Sequence, residues 1–208
     1  FSFSFSFSFS FFFLGCLCVA WLSGAHGHLT HALQPPGGSA EGFTAARPPV
    51  VLVPGLAGSQ LQVRLGGRYV APHWYCRQAC THNPPWRAAW LLLSDYAAPD
   101  CLAAELEVHT HLDRNATGLA YANAAGVDVR AVDFGGVDGF ASLDPFLPAV
   151  TRYFAPLVEG FVDAGWQVGT SLLGAPYDFR LAGDGLSQFG FHQQLTDLVE
   201  AAVQREGR

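Results

Sequence analysis

Apolar and polar positions along the chain follow two rhythms. Val50-Val51-Leu52-Val53 is a continuous apolar run, mostly β-branched, that stops at Pro54-Gly55. It is too short for a helix and is bounded by turn residues, so it predicts a buried strand. Leu61, Val63 and Leu65 alternate with Gln62 and Arg64, which predicts a half-exposed strand turning at Gly66-Gly67. Residues 126–132 alternate in the same way and lead into a glycine-rich loop, 133–139. Phe154, Leu157, Val158, Phe161 and Val162 then recur at helical spacing. Thr151 stands where a cap belongs, Pro156 falls near the first turn, and Gly165 follows the last apolar position. Residues 166–173 predict a further strand, with Ser171 inside it, ending in the loop 174–180. Leu195, Leu198, Val199, Ala202 and Val203 predict a second helix, stopped by Gly207. Strand, helix, strand, helix implies an α/β fold with a mostly parallel sheet covered on both faces.

The front of the chain has neither rhythm. Phe and Ser alternate over the first ten residues, which reads as low-complexity sequence rather than a strand. An apolar run from Phe11 to Leu22 is followed by Ser23-Gly24-Ala25. Residues 1–25 therefore read as a low-complexity and signal-peptide-like segment without a basic start, which places the protein in the secretory pathway, either secreted or in a vacuolar or lysosomal lumen. An uncleaved membrane anchor is the alternative. Residues 26–47, rich in Gly, Pro, Ala and His, read as a linker, and 48–208 as the globular part. The chain holds no methionine, which predicts coding sequence before Phe1.

Charge narrows the partners. Seventeen acidic residues stand against eleven Lys and Arg, with no basic run, so a nucleic-acid partner is not expected. Residues 69–101 carry Trp74, Trp86 and Trp90 between proline breakers, the composition of a lid or of a patch that touches a lipid surface. Cys76, Cys80 and Cys101 follow the signal-like segment; in an oxidising compartment two pair and one is left over. Cys76, Cys80 and His82 lack a second close ligand pair, so no metal is expected. Asn115-Ala116-Thr117 is a glycosylation sequon.

The loop after Pro54-Gly55 exposes backbone N–H groups at a strand's carboxyl end, a natural place to hold an oxyanion. No nucleophile accompanies it. Gly169-Thr170-Ser171-Leu172-Leu173-Gly174 has its second glycine one place late for a nucleophile elbow, and Gln60-Leu61 spoils the spacing after Ser59. The glycines of 133–139 lack the Gly-Lys-Ser/Thr that a phosphate loop requires.

Val51-Leu52-Val53-Pro54-Gly55-Leu56-Ala57-Gly58-Ser59-Gln60-Leu61 resembles the opening strand of the lecithin–cholesterol acyltransferase family, which includes lysosomal phospholipase A. The resemblance continues in family order through His73-Trp74-Tyr75-Cys76, Trp90-Leu91, Cys101, Gly126-Val127-Asp128-Val129-Arg130, Leu143-Asp144-Pro145 and Gly174-Ala175-Pro176-Tyr177-Asp178-Phe179-Arg180. Phe179 stands where animal members typically carry Trp, which places the chain nearer the plant branch. The resemblance implies the N-terminal part of an α/β-hydrolase fold with a disulfide-closed lid over about 69–105. It implies a lipid O-acyltransferase or phospholipase A that opens glycerophospholipid acyl esters through a serine acyl-enzyme, without a cofactor. Its partners are then an acyl-lipid and a membrane or lipid-particle surface. It implies a backbone oxyanion donor at Leu56, a Cys76–Cys101 disulfide with Cys80 unpaired, lid contacts to lipid from Trp86 and Trp90, and a glycan on Asn115. It also implies that the family's nucleophile, acid and base lie beyond Arg208. The alternative from another class is a short secreted protein that binds lipid without catalysis.

Overall fold

The computed structural model describes residues 48–112 and 118–205. The apolar run forms β1 (Val50–Leu52), and the alternating stretch forms β2 (Leu61–Leu65), with Leu61, Val63 and Leu65 buried and Gln62 and Arg64 less so. The Trp-containing segment carries β3 (Arg87–Trp90), a 3-10 turn over Leu93–Ala97, and helix α1 (Pro99–Glu105). A hairpin follows, β4 (Val108–Leu112) with β5 (Leu119–Asn123), then β6 (Val127–Ala131). The remainder is α2 (Asp138–Ala141), α3 (Ala155–Asp163), β7 (Leu172–Gly174), α4 (Gly183–Gln188) and α5 (Phe191–Arg205).

The expectation of a mostly parallel sheet is corrected. Among the strands of the described residues only β1 and β7 pair parallel; β3-β2-β6 is antiparallel, and so is β4-β5. The connections give the reason. A parallel neighbour requires a crossover, which the helices between β1 and β7 supply, whereas β4 and β5 are joined by a link too short for one. Within the 69–105 stretch, β3 pairs with β2.

Other expectations move by a few residues. Thr151 does not cap α3; its hydroxyl donates to the Leu147 carbonyl and accepts from the Asp144 amide, and Phe154 occupies the cap position. Ser171 lies in a turn before β7 rather than inside a strand, because Gly169 (φ +78°) bends the chain there. Its hydroxyl accepts from the Gln167 amide. The loop after β6 ends in α2, where the Asp133 carboxylate accepts the Asp138 amide.

Two clusters make the core. Val63, Leu65, Ala89 and Val127 of the antiparallel sheet cluster with Tyr69, and Leu172 of the parallel pair clusters with Val137, Phe140 and Val158. The main chain of Gln60 joins the two, its amide donating to Gly139 and its carbonyl accepting from Val132.

A disulfide connects Cys76 to Cys101, with Cα atoms 5.3 Å apart, and Cys80 is free. Beside it, Arg77 donates to the Glu105 carboxylate at 3.0 Å, to Asp95, and to the Ala88 carbonyl. Glu105 is fully buried, with one carboxylate oxygen lacking a partner. Burial pushes the Glu105 carboxyl up from its usual range, against the downward pull of Arg77. The folded state thus holds this proton more tightly than the unfolded chain. Its stabilising contribution is complete below the ordinary carboxylate value and is lost as pH rises through the raised one. The expected result is that thermal stability of the parent relative to Glu105→Gln increases as pH falls through that window and levels off below it. Melting temperatures of the two proteins across a pH series check this.

Candidate active site

The site is built at the carboxyl ends of β1 and β7. Val50, Val51 and Leu52 pair in register with Leu172, Leu173 and Gly174, and the Ala175 amide donates to the Leu52 carbonyl. Both chains therefore leave the sheet side by side, where ligands of α/β proteins sit. β1 runs into a tight turn in which the Gly58 amide donates to the Gly55 carbonyl at 3.0 Å. Leu56 and Ala57 occupy its centre. Ala57 has φ +62°, a left-handed conformation that is uncommon for a residue with a Cβ. Among the described residues the Leu56 amide donates to no backbone acceptor. Its side chain is 79% exposed. A helix or strand would have consumed that amide; an exposed two-residue corner leaves it available.

The surrounding side chains hold this corner from several elements. Trp90, at the end of β3, donates its indole N–H to the Ala57 carbonyl at 2.9 Å, and its ring packs on Phe179 with centroids 5.4 Å apart. Ser59 is fully buried, and its hydroxyl accepts the Tyr177 amide at 3.1 Å. That bond ties the loop after β1 to the loop after β7. Gln60 is also buried and donates its amide nitrogen to the Ser142 carbonyl at 2.8 Å.

Tyr153 stands beside the turn. A Cβ on Gly58 would come within 2.7 Å of its ring, and a Cβ on Gly55 within 3.4 Å of its hydroxyl. Burial first, and then the neighbouring Tyr153, push the Tyr177 phenol up, so Tyr177 stands at the strand ends as a neutral phenol at physiological pH. Gly58→Ala must displace Tyr153 or open the turn. The expected loss is about 1–3 kcal/mol of stability, the range for an overpacked site, measured by urea unfolding.

The β7 loop is fixed from below. Arg180 is bidentate on Asp178, at 2.8 and 2.6 Å, and also donates to the Leu106 carbonyl and the Asn123 side chain. The pair is mostly buried, and its further hydrogen bonds offset the desolvation. A cavity of about 180 Å³ lies alongside, lined by Phe134, Pro176, Tyr177, Asp178 and Phe191 among others; Leu56 is not among its walls.

The structure places the sequence-predicted residues unevenly. Leu56 sits at the strand end, with Trp90 brought to it across the fold. Trp86 stands apart on the outward face of β2 and β6, with the guanidinium groups of Arg64 and Arg130 4.9 and 4.2 Å from its ring centroid. Trp74 is the most exposed aromatic of this region, 90% accessible, with Tyr75 and Tyr96 each at 53% and Val70 at 85%. Asn115 lies outside the described residues, between the two strands of the hairpin. No group of three or more potential metal-binding side chains gathers among the described residues. Within the same residues no helix is long and apolar enough to cross a membrane. Ser59, Tyr153 and Phe179 carry no part in the site on sequence grounds. The spacing around Ser59 suits no elbow, and nothing local marks Tyr153.

A family model described as lecithin:cholesterol acyltransferase matches residues 89–208. A lysosomal phospholipase A and acyltransferase of Bos taurus is 34% identical over 174 residues, covering 81% of this chain and 40% of that protein. A lecithin-cholesterol acyltransferase-like 1 protein of Arabidopsis thaliana is 33% identical, covering 77% of this chain and 39% of its own length. A human phosphatidylcholine-sterol acyltransferase is 30% identical, with 73% and 32% covered. The chain thus spans about a third to two fifths of the length of these relatives.

Proposed function

Since this chain belongs to the lecithin:cholesterol acyltransferase family, we propose that it forms the front part of a lipid O-acyltransferase or phospholipase A that acts on glycerophospholipid acyl esters. The observation that carries the reading is the unpaired Leu56 amide at the carboxyl end of β1, held beside the β7 loop. In this reaction a serine oxygen attacks the ester carbonyl and its proton passes to a histidine. The carbonyl oxygen takes up negative charge, and the C–O bond to the lipid alcohol breaks as that alcohol is protonated. The acyl-serine is then opened by water or by a second lipid alcohol, which regenerates the serine.

The role of this chain is to stabilise the oxyanion. An N–H fixed in advance and directed at the developing charge lowers the barrier without reorganising during the reaction. The backbone supplies that donor, so an apolar residue at position 56 suits the role. The nucleophile, its histidine and its acid come from sequence beyond Arg208, on an α/β-hydrolase sheet that continues from β1 and β7. A serine acyl-enzyme calls for no cofactor. The compartment is the secretory pathway, where the disulfide and a glycan on Asn115 are both at home.

A second reading, a short secreted lipid-binding protein, draws on the exposed Trp74 and Val70. In-frame sequence after Arg208 separates the two. A Gly-His-Ser-x-Gly run supports the enzyme, and an immediate stop supports the binding protein. The biochemical test compares residues 26–208 with the protein extended through that run, on phosphatidylcholine vesicles with and without a lipid alcohol. The extended protein should release or transfer acyl chains and the shorter one should not. Turnover by residues 26–208 that Ser59→Ala or Ser171→Ala abolishes would overturn the reading.

A further inference from the structure

We infer that Trp90 is a positioning residue for the oxyanion turn: its indole N–H holds Ala57 in the left-handed conformation that gives the Leu56 corner its shape. The inference rests on the acyl-transfer reading for its consequence in catalysis, but its structural content does not.

A left-handed alanine is disfavoured by roughly 1–2 kcal/mol relative to the ordinary regions, and it persists only where the surroundings enforce it. The Gly58–Gly55 bond closes the turn but is compatible with other conformations at its centre. Tyr153 packs against Gly58 from one side and makes no hydrogen bond to Ala57. The contact that selects φ +62° is therefore the 2.9 Å bond from Trp90 to the Ala57 carbonyl. The bond has fixed geometry. Indole carries a single donor on a rigid ring, so it can satisfy only one acceptor and does so in one direction.

The ring itself is constrained at both ends. The Trp90 backbone pairs with Leu61 in the antiparallel sheet, and its ring packs on Phe179 of the β7 loop. Trp90 thus measures the distance between β3 and the two loops that form the site. If the indole donor is lost, Ala57 is free to return to negative φ, and the peptide planes on either side of it turn with it.

Amide hydrogen exchange on the isotope-labelled full chain tests this without a substrate. Trp90→Phe keeps an aromatic ring against Phe179 and deletes only the donor. The expected result is exchange at the Gly58 amide about tenfold faster, the effect of one hydrogen bond of ordinary net strength, with Val63 and Leu65 of β2 unchanged. Adding Ala57→Gly removes the conformational penalty and should restore most of the protection at Gly58 in the double variant. A tryptophan that acts merely as core packing would show no such rescue. Unchanged exchange at Gly58, equal acceleration at Gly58 and β2, or absence of rescue each overturns the inference. In the extended enzyme Trp90→Phe should lower kcat with KM unchanged. If exchange responds as expected but kcat does not fall, the clamp stands and the oxyanion role of Leu56 fails.

Discussion

Leu56→Pro in the extended enzyme should lower kcat by about 100-fold or more, the scale of losing one oxyanion donor. Leu56→Ala should cost far less. The two substitutions separate backbone from side chain. Proline removes the N–H, and φ near −65° is acceptable at the first central position of a tight turn, so the corner can still form. Alanine retains the N–H and removes an isobutyl group that is largely exposed and supports little packing. Steady-state kinetics on a short-chain ester, with KM reported separately, is the measurement. Equal losses from both substitutions would move the role to the side chain, as a lipid contact. A loss confined to KM would show that Leu56 binds substrate without stabilising charge.

Replacing Cys76 and Cys101 together with serine should destabilise the domain by about 3 kcal/mol, from the chain entropy regained when a loop of this size is opened. For a domain of this size that corresponds to a fall in Tm of roughly 10 °C. The bridge encloses β3 and anchors the start of α1, and both ends are buried. Arg77 and Glu105 repeat the connection one helical turn further along α1, because Cys101 and Glu105 are four residues apart and share a face. The double variant should therefore retain a folded antiparallel sheet at room temperature while losing thermal stability. Calorimetry with and without reductant checks both points, and Cys80→Ser, which alters a free thiol bonded only to the nearby His82 carbonyl, should leave Tm nearly unchanged.

Much of the frame is legible in the order of residues alone. The apolar run of β1, the alternation of β2 and β6 and the helical spacing in α3 and α5 are local patterns that place these elements, although β1 is only half-buried and Leu157, Val162 and Val199 are exposed. Pro54-Gly55 likewise marks the end of β1, because neither residue extends a strand well. The strand-end loop, and Leu56 within it, can be located on these grounds together with the family resemblance.

What the sequence could not show is which elements meet. β3 reads Arg-Ala-Ala-Trp, without alternation or a β-branched residue, and becomes a strand because β2 offers it a partner. Periodicity does not report whether two strands pair parallel or antiparallel. The parts that shape the site are separated along the chain: Trp90 and Ala57 by 33 residues, Ser59 and Tyr177 by 118. Nothing in the residues around Ala57 predicts a left-handed alanine. It is held by a hydrogen bond from another strand, and such a bond leaves no local signature. The sequence by itself determined where backbone donors could be exposed, because turn and strand chemistry act over a few residues. Only the tertiary structure decided how one of those donors is held, because that depends on side chains the fold brings together from distant positions.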